Sequence, residues 1–273
     1  MYKGPPYCLD TCLVSHPLQV VFAYVCKAAS SSIKKWLVVH AGFAPEATPA
    51  DILSGLHPYL QRNHRLTPSA ANSVLTDPAY FKFTFVRNPL PRLVSAYLDR
   101  VVHVKNSARR VIRNFQIRQR LLGVNAVRNW WGGGPLLDPA RLPSFREFVE
   151  QLARENPARL DPHFRAQWRL LRGLPLDFVG RVENSQQDFQ VVQERLGVFV
   201  PLPRQHTRCY LAAGAVAADW PAGRFLSPQT APPWRQFYDE PLLALAGRLF
   251  ADDFAQFGYR CTLHEASNSR QAA

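Results

Sequence analysis

Two short apolar runs, each ending on a basic residue and each followed by a helical pattern, constrain this chain more than any other feature. The first is Val20-Val21-Phe22-Ala23-Tyr24-Val25, β-branched and aromatic in the manner of a buried strand, and it stops abruptly at Cys26-Lys27. Ala28, Ala29 and three serines follow, then Ile33, Trp36 and Leu37 recur at helical spacing, which leaves Lys34 and Lys35 to face outward. The second run, Lys82-Phe83-Thr84-Phe85-Val86, is broken by Arg87-Asn88-Pro89. Leu93, Ala96, Tyr97 and Val101 then lie three or four apart, so a helix starts near Pro89 or Pro91. Residues 176–182 read as a third strand, and a helix from about 185 to 196 is stopped by Gly197. Strands separated by helices favour an α/β layered fold with a mainly parallel sheet, in which ligands sit outside the carboxyl ends of the strands. Lys27 and Arg87 both fall at such ends.

The remaining segments add less. Residues 42–49 are a Pro- and Ala-rich loop, and a weakly helical stretch follows before the second strand. Residues 105–120 read as a basic helix that could grip an anionic glycan or merely form a solvated face, and Trp130-Trp131-Gly132-Gly133-Gly134-Pro135 as an exposed loop. Ser144 before Phe145-Arg146-Glu147 is a capping box for a helix to about Ala153, and Leu242, Leu243, Leu245, Ala246, Leu249 and Phe250 mark a final helix.

A chain of 273 residues, 47% hydrophobic, is long enough for one large domain or two small ones. Lys and Arg outnumber Asp and Glu by 33 to 20, which implies an anionic partner: nucleic acid, a membrane surface, a polyanionic glycan or a phosphorylated nucleotide. The five cysteines have neither CxxC spacing nor paired histidines, so reduced thiols are expected rather than a zinc site or a disulfide framework. Neither a signal peptide nor a membrane-spanning run is visible, and a soluble, cytoplasmic chain is expected.

The loop Cys26-Lys27-Ala28-Ala29-Ser30-Ser31-Ser32 has the parts of a phosphate cradle: small residues, hydroxyl donors, one Lys, and a helix start with free N–H groups. A Ser-rich helix cap with no ligand would look the same. The GxxxxGK[ST] pattern is absent, which weakens a P-loop phosphotransferase reading.

Here the residues resemble a known family, the carbohydrate sulfotransferases that use 3′-phosphoadenosine 5′-phosphosulfate. Residues 25–36 are similar to the family's 5′-phosphosulfate loop, and Phe85-Val86-Arg87-Asn88-Pro89-Leu90-Pro91-Arg92-Leu93-Val94-Ser95-Ala96-Tyr97 to its 3′-phosphate segment, Phe-Val-Arg-x-Pro-x-x-Arg-Leu-Val-Ser-Ala-Tyr. Asp161-Pro162-His163-Phe164-Arg165-Ala166-Gln167, Asp177-Phe178-Val179-Gly180-Arg181-Val182-Glu183, Phe237-Tyr238-Asp239-Glu240 and residues 253–259 also fit, in order. The resemblance implies a P-loop-like three-layer fold and one sulfotransferase domain over 1–273 with its core at about 19–260. It implies a 3′-phosphoadenosine 5′-phosphosulfate co-substrate, no metal and no nucleic acid, and a carbohydrate acceptor.

Carried over by position, Lys27, Ala28, Ser30, Ser31 and Ser32 surround the 5′-phosphosulfate, while Arg87 and Ser95 take the 3′-phosphate. Arg204, Thr207 and Arg208 lie where the family has a basic segment near the nucleotide. The acceptor's proton needs a base of near-neutral pKa, for which His163 is first choice and His64 the reserve, with Glu183 available to orient either. Cys26 departs from the family's Pro-Lys start. The family's Golgi members carry an N-terminal anchor that is not visible here, so the chain is read either as a soluble form or as a truncated one, with peripheral membrane association left open. A kinase-like phosphotransferase and a non-catalytic polyanion binder are the competing readings; the first requires Mg²⁺ and nucleoside triphosphate, the second salt-dependent nucleic-acid binding.

Overall fold

The computed structural model describes residues 6–103, 142–203, 216–225 and 231–263; the expected basic helix at 105–120 and the loop at 130–135 lie outside them. In chain order the strands are β1 (Cys12–Ser15), β2 (Val20–Ala23), β3 (Phe81–Val86) and β4 (Phe178–Arg181). The helices are α1 (Ser30–Val39), α2 (Pro49–Asn63), α3 (Pro68–Thr76), α4 (Pro89–Tyr97), α5 (Phe145–Arg154), α6 (Gln167–Leu171), α7 (Ser185–Leu196), α8 (Glu240–Leu249) and α9 (Ala251–Phe257). Among the described residues no helix is long and apolar enough to cross a membrane.

The chain divides into two compact units, one formed by residues 1–88 and 157–207, the other by 89–156 and 208–273. The first holds the sheet, in the order β1-β2-β3-β4, with β2, β3 and β4 parallel and β1 antiparallel at one edge. The expected α/β fold with a mainly parallel sheet is therefore present. β1 has no counterpart among the sequence expectations: at four residues it is too short to show a period, and its pairing is decided by the adjacent β2. The weakly helical stretch resolves into α2 and α3, each opened by a threonine cap and a proline in the first turn.

β2 and β3 are buried on both faces, which is why they read as continuous apolar runs rather than alternating ones. Phe22, Phe83 and Phe85 pack with Ile33, Trp36 and Leu37 of α1, Leu56 and Leu60 of α2, and Phe189 and Val192 of α7. The β3–β4 register sets Gly180 opposite Phe85, and a Cβ on Gly180 would stand 2.5 Å from the Phe85 ring. The ring fills the space a side chain would need. Arg87 directly follows β3, and Glu183 lies two residues past the end of β4.

The second unit is built on aromatic packing. Tyr97 of α4 meets Phe145 and Phe148 of α5 at 5.3 Å between centroids, and Phe145 also contacts Phe237 and Tyr238. The phenols find buried acceptors, Tyr97 donating to the Pro143 carbonyl (2.8 Å) and Tyr238 to that of Leu90 (2.9 Å). The Ser144 capping box forms with Glu147, as its spacing requires. The expected helix at 242–250 is α8, capped at Phe250, and a further short helix, α9, follows it.

Candidate active site

β2 ends at Ala23, the chain continues through buried Tyr24 and Val25, and it then turns sharply into α1. Lys27 (φ 69°) and Ala29 (φ 54°) both adopt the left-handed conformation without being glycine. Each costs about 1–2 kcal/mol, and strain of this kind concentrates at functional sites because packing elsewhere must hold it in place. The holding contacts are local: Ala28 is fully buried and donates its N–H to the Val25 carbonyl.

Ala29 is the N-cap of α1 and gives no side-chain cap. The first helical bond is donated by Ile33 to the Ala29 carbonyl, so the N–H groups of Ser30, Ser31 and Ser32 precede the ladder. Half-buried Ser30 and exposed Ser31 thus sit with Lys27 around a helix start suited to an anion, while Ser32 is buried.

Lys34 does not face outward as expected. It is 6% exposed, with Nζ 3.0 Å from His57 Nδ1 and 3.3 Å from the Tyr24 ring centroid. Burial lowers its pKa to about 7, against a smaller upward pull from Cys26. The helical count put Lys34 at the edge of the apolar stripe, and the Tyr24 face drew it in. Lys35 is exposed.

The β3 end is arranged differently. The β3–β4 ladder closes at Val86–Arg181, which leaves the Arg87 peptide groups beyond it. The side-chain amide of Gln167, fully buried at the start of α6, takes both: it accepts from the Arg87 N–H (2.9 Å) and donates to the Arg87 carbonyl (2.7 Å). The next peptide, Asn88 N–H, donates to Glu183 Oε1 (2.8 Å). Arg87 Nη1 in turn donates to the Lys27 carbonyl at 3.4 Å, which brings the two basic strand ends together.

His163 lies on the turn before α6. Asp161 Oδ1 accepts from the His163 backbone N–H (2.9 Å) and pairs with its Nδ1 at 2.6 Å. Burial pushes the imidazole down, but Cys26 in its thiolate form and the Asp161 carboxylate, each by charge and hydrogen bond, outweigh it and hold the pKa above its ordinary value. Asp161 orients His163, and Cys26 connects it to the loop after β2. Sequence reasoning missed Asp161, Gln167 and the contact to Cys26. An Asp two residues before a His across a Pro is an Asx-turn signal for the first; the other two are tertiary.

His64 is engaged elsewhere: its Nε2 is 2.7 Å from Glu46 and its Nδ1 is 3.2 Å from the carbonyl of Val14 in β1. Ser95 belongs to the second unit, half-buried in the second turn of α4, and Arg92, the fourth residue of that helix, is buried. Asp99 pairs with Arg100 at 3.4 Å. Arg204, Thr207 and Arg208 lie outside the described residues.

The model of the sulfotransferase family matches residues 10–260, nearly the whole chain. The chain belongs to the sulfotransferase family. Its relatives include carbohydrate sulfotransferase 14 of Mus musculus and of Homo sapiens, each 31% identical over 192 residues, which cover 67% of this chain and 45% of theirs. Carbohydrate sulfotransferase 11 of Mus musculus is 28% identical over 213 residues, 71% of this chain and 54% of its own. This family member spans about half the length of the curated relatives it matches. No solved structure matches it. The resemblance drawn from the two strand-end segments is thus borne out at the level of family, as is the P-loop-like α/β fold expected with it.

Proposed function

We propose that this chain moves a sulfuryl group from 3′-phosphoadenosine 5′-phosphosulfate to a hydroxyl of a carbohydrate acceptor. The observation that carries the reading is the bond from Arg87 Nη1 to the Lys27 carbonyl, because it joins two cationic strand ends across parallel neighbours β2 and β3. One cation suits each anionic end of a nucleotide phosphorylated at both the 3′ and 5′ positions. An Arg presents a planar fork to a phosphate, whereas a Lys is a compact charge able to follow an oxygen as charge grows on it.

In the reaction the acceptor oxygen bonds to sulfur as the bond from sulfur to the bridging phosphate oxygen breaks. Negative charge then appears on the departing 5′-phosphate, where Lys27 and the N–H groups of Ser30 and Ser31 offer stabilisation that strengthens with charge. The acceptor proton passes to His163, whose Nδ1 is held by Asp161 and whose raised pKa makes the resulting imidazolium stable. Ser95 belongs to the same reading as a partner of the 3′-phosphate, and Arg204, Thr207 and Arg208 as further donor contacts. The names of the relatives favour a carbohydrate acceptor.

The test is a thermal-shift comparison of adenosine 3′,5′-bisphosphate, ATP with Mg²⁺, AMP and short nucleic acids. Selective stabilisation by the bisphosphate is expected. Stabilisation by Mg²⁺-ATP alone would move the chain to phosphoryl transfer, and by nucleic acid alone to a polyanion binder.

A further inference from the structure

The Gln167 amide does more than fill hydrogen bonds at a strand end. It sits where β4 has ceased to pair with β3, and its two polar atoms stand in for the missing neighbouring strand at a single residue, Arg87. Because Gln167 is fully buried and opens α6, that residue's peptide is gripped on both sides by a group with little freedom of its own. Glu183 grips the following N–H, so the backbone from which the Arg87 side chain springs is fixed at consecutive peptides. The guanidinium then reaches the Lys27 carbonyl, whose direction follows from the left-handed conformation of Lys27. Donor loop, guanidinium, strand end and buried amide form one connected series.

We propose that Gln167 is a positioning residue that sets nucleotide specificity: by clamping the Arg87 peptide it holds the guanidinium at the separation from the Lys27 loop that a 3′,5′-bisphosphorylated nucleotide requires. The proposal rests on the donor assignment above. A ligand with a single 5′-phosphate engages the Lys27 loop and is indifferent to where the guanidinium stands. A bisphosphate must satisfy both ends at once, so a small displacement of Arg87 weakens it selectively. The same seven-residue segment, Asp161 to Gln167, carries His163 as its third residue and Gln167 at its end, so the clamp and the base share one turn, with the Phe164 and Arg165 N–H groups both donating to the Asp161 carbonyl.

The experiment is calorimetric titration of the full chain with adenosine 3′,5′-bisphosphate and, separately, with AMP, for the wild type, Gln167→Met and Gln167→Glu, with a melting curve for each. Met keeps the volume and removes both bonds; Glu keeps the acceptor for the Arg87 N–H and loses the donor to its carbonyl. The bisphosphate-to-AMP affinity ratio is expected to fall about tenfold or more in Gln167→Met, with AMP affinity itself within about twofold, and to fall by less in Gln167→Glu. If Gln167→Met does not fold, a drop in the ratio for Gln167→Glu carries the same conclusion. An unchanged ratio in a folded variant, or equal weakening of both ligands, overturns the proposal and leaves Gln167 a purely structural residue. A wild type that does not distinguish the two nucleotides overturns the donor assignment itself, and the proposal with it.

Discussion

The loops leaving β2 and β3 do comparable work with opposite construction. The β2 loop is strained and locally held: two left-handed non-glycine residues, Lys27 and Ala29, and an uncapped helix start. The β3 loop carries no such strain and is held from far away in sequence, by Gln167 and Glu183 at 80 and 95 residues' separation. The difference matches the roles proposed for the two cations. A strained loop presenting open N–H groups suits charge that develops during reaction, whereas a clamped peptide suits an anchor that must not move.

The largest expected effect breaks the comparison directly. Lys27→Ala lowers kcat by about 10²–10³-fold, a larger loss than the one it causes in bisphosphate affinity, whereas Arg87→Ala weakens bisphosphate binding by about 10–100-fold and lowers kcat less. Steady-state rates paired with titration check this, and equal effects of the two variants on both quantities would show that the loops are not specialised.

A second effect concerns the support of the clamped loop. Gly180→Ala puts a methyl into the Phe85 ring, and a loss of about 1–3 kcal/mol is expected in denaturant unfolding. Because β4 leads into the turn that holds Glu183, bisphosphate affinity should fall with it, while Lys27-loop chemistry measured at saturating donor changes less.

The pH behaviour of His163 sharpens the link between the loops. Its folded pKa is raised, so the stability it contributes is fully present below its unfolded value of about 6.5 and is lost as pH rises through the folded pKa. Asp161→Asn removes one of the groups that raise it. The acid limb of the kcat profile, where the base must be neutral, is expected to move to lower pH, and the melting-temperature advantage of wild type over variant to shrink as pH increases. An unmoved limb in a folded variant would remove His163 from the proton transfer.

The smallest effect tests the strain itself. Ala29→Gly, at φ 54°, is expected to gain up to about 1 kcal/mol of stability, because glycine adopts the left-handed region freely. Lower turnover in the more stable variant would tie the strain to function.

Much of this was legible before folding is considered. The strands at 20–23 and 81–86, the capping box at Ser144, the helix ending at Gly197 and the placement of Lys27 and Arg87 at strand ends follow from local chemistry, namely apolar runs, caps and positive-φ stops. β1 was not legible because a four-residue strand has no period of its own, and Lys34 was misread because helical spacing marks the edge of a buried stripe but not what lies across from it. The hold of Glu183 on the Asn88 peptide was not legible either, since a carboxylate past a strand end binds whichever donor the sheet register brings to it.

The sequence by itself determined the kind of fold, the family and the two cations, since each is written in contiguous residues whose preferences need no distant partner. Only the tertiary structure decided which groups surround those cations and His163. Gln167 at Arg87, Asp161 and Cys26 at His163, and Arg87 at the Lys27 carbonyl depend on where parallel strands end and what the buried turn before α6 presents to them, and pairing of that kind is set by packing across the sheet.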